Sequence, residues 1–156
     1  MPATKLKRSM LSQETQQIGR VTTEAVIENR RDLWAAEEKR IAKDQVRRVI
    51  VTDALVDTGA TVLSLPKKLI KELGLQKFSE RRVTTSVGVR TTNLYGPVLL
   101  TIQGRSCTVD VGEVPNSVPT FIGQVPLELL DFVVDLRGRK LIGNPAHGGE
   151  HMYELF

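Results

Sequence analysis

The sequence is poor in several features that identify particular classes of protein. Its 156 residues contain one cysteine, Cys107, and only 4% aromatic residues. A single cysteine forms no disulfide or cysteine-based zinc cluster within one chain, and it is typical of a reducing compartment. The longest stretches without charge, Thr91–Gly104 and Val114–Leu127, are too short to span a membrane. Met1–Arg20 begins with basic residues but has no apolar stretch behind them, unlike a secretory signal peptide. We therefore expect a cytoplasmic protein without a membrane partner.

The basic residues are unevenly distributed along the chain. Residues 1–48 contain eleven Lys or Arg and seven Asp or Glu, whereas residues 49–156 contain eleven of each. A basic arm can bind nucleic acid, but here acidic residues are interleaved with the basic ones, which is typical of a solvated, salt-bridged surface. Aromatic residues are scarce, and no nucleic-acid-binding motif is recognisable. A nucleic-acid partner is therefore disfavoured.

Short apolar segments rich in Val, Leu and Ile alternate with turns that contain Gly, Pro or Asn. Strands are predicted over residues 19–29, 46–57, 61–65, 81–87, 92–102, 107–114, 118–122, 132–135 and 140–143. Short helices are predicted over residues 31–42, 66–73 and 127–130. Residues 88–91 form the predicted turn of a hairpin. Many short strands with few helices predict a mostly-β barrel or sandwich with one or two small helices.

The segment most informative about function is Ala54–Thr61. An apolar strand ends in Asp57, which is followed at once by Thr58 and Gly59. Burying a lone carboxylate is costly unless hydrogen bonds satisfy it. Gly59 lets the backbone approach closely and turn without a Cβ clash. We therefore expect Asp57 to lie partly shielded from water in a cradle of backbone N–H groups, as a reactive carboxylate requires.

This segment resembles the active-site signature of the retropepsin-like aspartic proteases, the single-lobe relatives of the pepsins, here in their bacterial-type form. Asp57-Thr58-Gly59-Ala60 matches the active-site loop, and Phe121-Ile122-Gly123 matches the apolar-apolar-Gly structural loop that follows it in these folds. A short helix at Pro126–Leu130 and a Gly-bearing hairpin between the two motifs also fit the family. The resemblance covers about residues 19–145. It implies a mostly-β, single-lobe acid-protease barrel with one or two short helices.

The resemblance also implies how the protein acts. Aspartic proteases use two carboxylates that share one proton to activate a water for attack on a peptide bond. The chain contains one Asp-Thr-Gly and is too short for two pepsin-type lobes, so the second carboxylate is expected from Asp57 of a second copy in a homodimer. Thr58 of each chain would hydrogen-bond to the other chain. The tip of a flap over the peptide or protein substrate would be formed by Val87, Gly88 and Val89. No cofactor and no metal are implied.

Three departures from the retroviral pattern bear on the domain organisation. Thr61 follows the active-site loop, near where retroviral members carry an acidic residue. The first two strands are separated by residues 30–46, which are predicted to form a helical insertion. Beyond the usual last strand the chain continues through residues 146–156 as a C-terminal tail, which puts the retroviral dimer sheet in doubt. We expect a loose polar arm over residues 1–18 and the protease domain over residues 19–145.

Other residues and other functions fit the sequence less well. His147, Glu150 and His151 lie close together, but neighbouring glycines give them no rigid scaffold, which favours a flexible polar tail over a metal site. Cys107 has no paired histidine and is expected to be a packed strand residue. The main alternative function is a catalytically silent retropepsin-fold module for dimerisation or binding. The intact motif around Asp57 favours the protease, since two facing carboxylates would only destabilise a scaffold.

Overall fold

The computed structural model describes residues 20–155, in which strands predominate. The strands are β1 (Thr22–Asn29), β2 (Arg48–Val56), β3 (Leu63–Pro66), β4 (Gln76–Thr85), β5 (Gly88–Ile102), β6 (Arg105–Val114), β7 (Phe121–Ile122), β8 (Phe132–Asp135) and β9 (Lys140–Gly143). The helices are α1 (Arg30–Glu37), α2 (Lys67–Glu72) and α3 (Gln124–Leu129), with 3-10 turns at Lys43–Gln45 and Pro145–His147. The predicted arm over residues 1–18 lies outside the described residues. Within residues 20–155, no helix is long and apolar enough to cross a membrane.

Seven of the strands form one sheet that closes on itself. Neighbouring strands follow the order β1-β2-β7-β3-β6-β5-β4, and β1 also pairs with β5. Closure depends on the length of β5, because its residues 88–96 pair with β4 and its residues 98–101 pair with β1 along the same edge. The prediction of a mostly-β, single-lobe fold with a few short helices is confirmed.

The core is filled by aliphatic side chains. Branched aliphatic residues dominate the fully buried positions: Ile27, Leu63, Leu65, Leu73, Val98, Leu100, Ile102, Val111, Ile122, Leu127 and Leu130. Alternate residues of β5 from Leu94 to Ile102 are buried, whereas the residues before Leu94 are exposed or half-buried. Since β4 is also mostly exposed, the β4–β5 hairpin projects beyond the packed part of the sheet.

The helix predicted over residues 31–42 is present but shorter, because α1 ends at Glu37. Its first turn is capped by Asn29, whose side chain accepts a hydrogen bond from the N–H of Asp32 at 3.1 Å. Lys39 then adopts a φ of +59°, and the charged residues that follow Glu37 offer no apolar face to pack. The side chain of Arg47 donates to both carboxylate oxygens of Asp32, at 2.8 and 3.0 Å, and so ties the end of the insertion to its start.

Candidate active site

Asp57 is the first residue after β2, and the backbone around it is fixed from two sides. The two-residue β7 lies between β2 and β3. It runs parallel to β2, with Val56 opposite Ile122, and antiparallel to β3, with Leu63 opposite Ile122. The N–H of Asp57 donates to the carbonyl of Ile122 at 3.0 Å. One short strand therefore holds the chain before and after the motif, which makes residues 57–62 a loop pinned at both ends.

The carboxylate of Asp57 lies on the surface of the single chain. The N–H of Gly59 donates to Asp57 Oδ1 at 3.0 Å, and the N–H of Ala60 donates to the Asp57 carbonyl at 3.1 Å. A Cβ at position 59 would lie 3.2 Å from Oδ1, so glycine leaves room for the carboxylate. Thr58 is exposed as well. The expectation that Asp57 is partly shielded from water is therefore wrong for the single chain, because the motif follows the half-buried end of β2 and turns toward solvent. Of the expected N–H groups, that of Gly59 does contact the carboxylate.

Gly123 brings a second backbone segment against this loop. Three hydrogen bonds join the segments, from the N–H groups of Gly123, Gln124 and Val125 to the carbonyls of Val62 (3.1 Å), Ala60 (2.8 Å) and Thr61 (3.0 Å). A Cβ on Gly123 would stand 2.5 Å from the carbonyl carbon of Thr61 and 2.7 Å from both the nitrogen and the oxygen of Val62. A residue with a side chain would therefore push the two backbones apart. The structure places both Ile122 and Gly123 directly beside the Asp57 loop.

The predicted flap residues lie at the tip of the β4–β5 hairpin. The turn consists of Ser86 and Val87, and β5 begins at Gly88, which has a φ of +112°. The turn comes earlier than predicted because the Thr85 hydroxyl bridges it, donating to the carbonyl of Gly88 at 2.8 Å, and because the β-branched residues after Gly88 favour a strand. Val87 is 71% exposed and Val89 is 52% exposed. These apolar side chains are free for contact with another molecule, and their role as a flap stays a prediction.

A surface groove of about 350 Å³ lies at the base of this hairpin. Polar residues make up most of its lining: Lys67, Thr91, Thr92, Asn93, Glu113 and Asn116. The Glu113 carboxylate accepts hydrogen bonds from the side-chain amide of Asn93 at 3.0 Å and from the hydroxyl of Tyr95 at 3.2 Å. No residue of the Asp57 loop lines the groove. This groove therefore does not enclose the Asp57 carboxylate.

Asp131 is the buried centre of a cluster of hydrogen-bonded side chains that no sequence motif predicts. Asp131 has a φ of +57° and is 6% exposed. Its carboxylate lies 2.6 Å from His147 Nδ1 and accepts the N–H of Met152 at 3.1 Å, while His147 Nε2 lies 2.7 Å from Glu154. Hydrogen bonds to Glu154 and Asp131 raise the pKa of His147, and the bond with His147 lowers the pKa of Asp131. These contacts dock the segment after Pro145 onto the domain. Within residues 20–155, no three His, Cys, Asp or Glu side chains are arranged to hold a metal ion.

A closed single-lobe sheet that presents Asp-Thr-Gly on a loop pinned by an Ile-Gly segment is the arrangement of a retropepsin-like aspartyl protease. Comparison with known families agrees, since the sequence profile of the aspartyl protease family matches residues 45–124. This range is more than half of the chain and contains Asp57, the β4–β5 hairpin and Gly123. The chain belongs to this family, which confirms the resemblance seen in the sequence. Comparison with curated proteins gives no match.

Proposed function

We propose that this protein is a homodimeric aspartic endopeptidase to which each subunit contributes Asp57. Membership of the family supports a hydrolase of the aspartic-protease type. The observation that carries the proposal is the exposed carboxylate of Asp57 on a loop whose backbone is held at both ends. A catalytic carboxylate has to be accessible to water and substrate while its position stays fixed, and this loop supplies both conditions.

Peptide hydrolysis by this mechanism requires two such carboxylates. The ionised one takes a proton from the attacking water, and the protonated one donates toward the carbonyl oxygen of the peptide. The leaving nitrogen then receives a proton as the C–N bond breaks. The two groups share one proton because like charges about 3 Å apart do not both ionise.

No other aspartate of the sequence is followed by Thr-Gly or Ser-Gly, and two of them, Asp131 and Asp135, form hydrogen bonds elsewhere in the chain. Asp131 is bound to His147 at 2.6 Å. Asp135 accepts two backbone N–H groups of the β8–β9 turn, at 3.1 Å each. A two-fold axis beside the Asp57 loop would bring in an identical carboxylate from a second copy. The exposed surface of the loop would then become the contact between the subunits.

The β8–β9 hairpin offers a second contact for such a dimer. Its two strands pair only with each other among residues 20–155. Unpaired strand edges carry N–H and C=O groups that pair readily with another chain. Pairing of this hairpin with its symmetry mate would satisfy those groups, and it would replace the sheet that the chain termini build in the retroviral enzymes.

A subunit-mixing experiment with Asp57→Asn tests the shared site. The substitution is nearly isosteric, so we expect D57N to keep the fold and the dimer but to cleave no member of a peptide library. D57N is mixed with a fixed amount of wild type, and the subunits are allowed to exchange. If pairing is random and a mixed dimer is inactive, an equal amount of D57N should leave about half of the wild-type activity, and a threefold excess should leave about a quarter. The matched control is Asp53→Asn, which neutralises an exposed carboxylate within β2, four residues before Asp57, and should leave the wild-type activity undiminished.

Each result bears on a different part of the proposal. Cleavage by pure D57N would contradict the catalytic role of Asp57. Wild-type activity that is unchanged by an excess of D57N would contradict the site shared between subunits. A stable wild-type dimer that cleaves no peptide would favour the alternative, a module for dimerisation or binding.

A further inference from the structure

The β4–β5 hairpin carries a surplus of positive charge. Residues 76–96 contain four basic residues, Lys77, Arg81, Arg82 and Arg90, but a single acidic one, Glu80. Lys77 contacts Glu80 at 2.6 Å, so this acid is already engaged. None of the three arginines forms an ion pair within residues 20–155.

The arginines occupy both faces of the hairpin. In the register of β4 with β5, Arg81 and Arg82 lie opposite threonines and Arg90 lies opposite Val83. Because successive side chains of a strand point to opposite faces, Arg81 and Arg90 share one face and Arg82 lies on the other. All three residues are exposed. Whichever face turns toward a bound molecule therefore presents a guanidinium.

Folding of the single chain does not explain this distribution. Arg81 and Arg90 are diagonal neighbours on one face, and like charges in such positions repel. The Arg90 guanidinium donates to two carbonyls at the tip of the hairpin, at 2.9 Å to Val89 and 3.4 Å to Val87. Arg81 and Arg82 are the side chains whose charge is left for a binding partner.

We propose that the hairpin selects acidic peptide segments as substrates. This inference rests on the proposed function, in which the hairpin closes over a bound peptide. Carboxylates match the guanidinium group with two parallel hydrogen bonds. The exposed Val87 and Val89 beside the arginines suit a polypeptide, which offers apolar side chains together with carboxylates, better than they suit a free anion.

Two peptides that differ only by Glu or Gln beside the cleaved bond test the selection. We expect kcat/KM of the wild type to be at least about tenfold higher for the Glu peptide, and the preference to shrink as salt screens the charges. The double variant Arg81→Gln, Arg82→Gln should reduce the preference to about threefold or less. The matched control Lys39→Gln, Lys43→Gln removes two exposed charges from the helical insertion and should keep the wild-type preference.

A binding measurement separates this inference from the protease assignment. D57N is titrated into each fluorescently labelled peptide, and the anisotropy gives the two dissociation constants without cleavage. If the wild type cleaves no peptide, the proposed function fails, but preferential binding of the Glu peptide that is lost in the double arginine variant still supports the hairpin surface. Equal binding and equal cleavage of the two peptides would overturn the inference. Binding to phosphatidylserine vesicles without preference for the Glu peptide would also overturn it, in favour of a membrane surface.

Discussion

Replacing Gly123 by alanine tests whether the Asp57 loop is held as closely as the structure shows. The added Cβ would stand 2.5 Å from the carbonyl carbon of Thr61, whereas ordinary contact begins near 3.4 Å. The two segments would therefore have to separate by about 1 Å. All three of the nearest atoms belong to the backbone of Thr61 and Val62, so no side-chain rotation relieves the clash.

The cost follows from the contacts that the separation weakens. The hydrogen bonds donated by residues 123, 124 and 125 measure 3.1, 2.8 and 3.0 Å, and each contributes about 1 kcal/mol net. Overpacking of a tight contact costs about 1–3 kcal/mol. Separating the segments relieves the clash but weakens the hydrogen bonds. The cost of overpacking and the cost of the weakened hydrogen bonds therefore do not simply add. We expect G123A to lower the free energy of unfolding by about 2–4 kcal/mol.

Urea unfolding followed by far-ultraviolet circular dichroism measures this loss. One fixed protein concentration is used for all variants, so that mass-action stabilisation of the proposed dimer does not enter the comparison. The matched control is Gly104→Ala. Gly104 has a φ of +79°, and no atom of residues 20–155 outside its own turn lies within 4 Å of the place that a Cβ would take. G104A therefore reports only the strain of the left-handed backbone, about 1–2 kcal/mol. A loss in G123A no larger than the loss in G104A would refute the close approach of the two segments.

Two further predictions concern groups outside the motif. Burial raises the pKa of the Cys107 thiol to about 11, so a thiol reagent at about pH 8 should label the native protein slowly and the urea-unfolded protein fast; rapid native labelling would contradict its buried position. Contacts with Glu154 and Asp131 raise the pKa of His147 above its ordinary value of 6.5. The protonated imidazole therefore stabilises the fold, and this contribution is fully present below pH 6.5. It is lost as the pH rises through the raised pKa of the folded protein. The lowered pKa of Asp131 adds stability that is present above its ordinary 3.8 and lost as the pH falls. The melting temperature of His147→Gln should therefore fall below that of the wild type by more at about pH 5.5 than at about pH 9, and an equal difference at both would contradict the pairing.

The parts of the fold that depend on neighbouring residues could be predicted from the sequence. β8 and β9 have the predicted bounds, because an apolar run, a turn around Gly138 and a second apolar run lie within twelve residues. α2 likewise follows Pro66 and stops before Gly74, which takes a φ of +62°. The position of Asp57 at the end of a strand was predictable for the same reason.

Features set by contacts between distant residues could not be predicted. The pairing of β1 with β5, which closes the sheet, joins Val26 to Thr101, and no local pattern specifies it. His147 lies in a Gly-rich segment that suggests a tail, and its partner Asp131 is sixteen residues away. The apolar residues Leu55 and Val56 before Asp57 suggested that its carboxylate would be partly buried. Its exposure instead depends on where β2 leaves the core, which no local pattern specifies.

That exposure bears on how the proposed activity would arise. In the single chain the Asp57 carboxylate meets solvent and one backbone N–H, that of Gly59. Shared-proton catalysis depends on a second carboxylate about 3 Å away and on the exclusion of bulk water, and a loop pinned in one barrel supplies neither. Each barrel would thus fix the position of its own Asp57, and only the dimer would hold the pair of carboxylates that the reaction requires. If so, specific activity must fall when the protein is diluted below the dissociation constant of the dimer, and specific activity that stays constant through that range would place the second acid within the same chain.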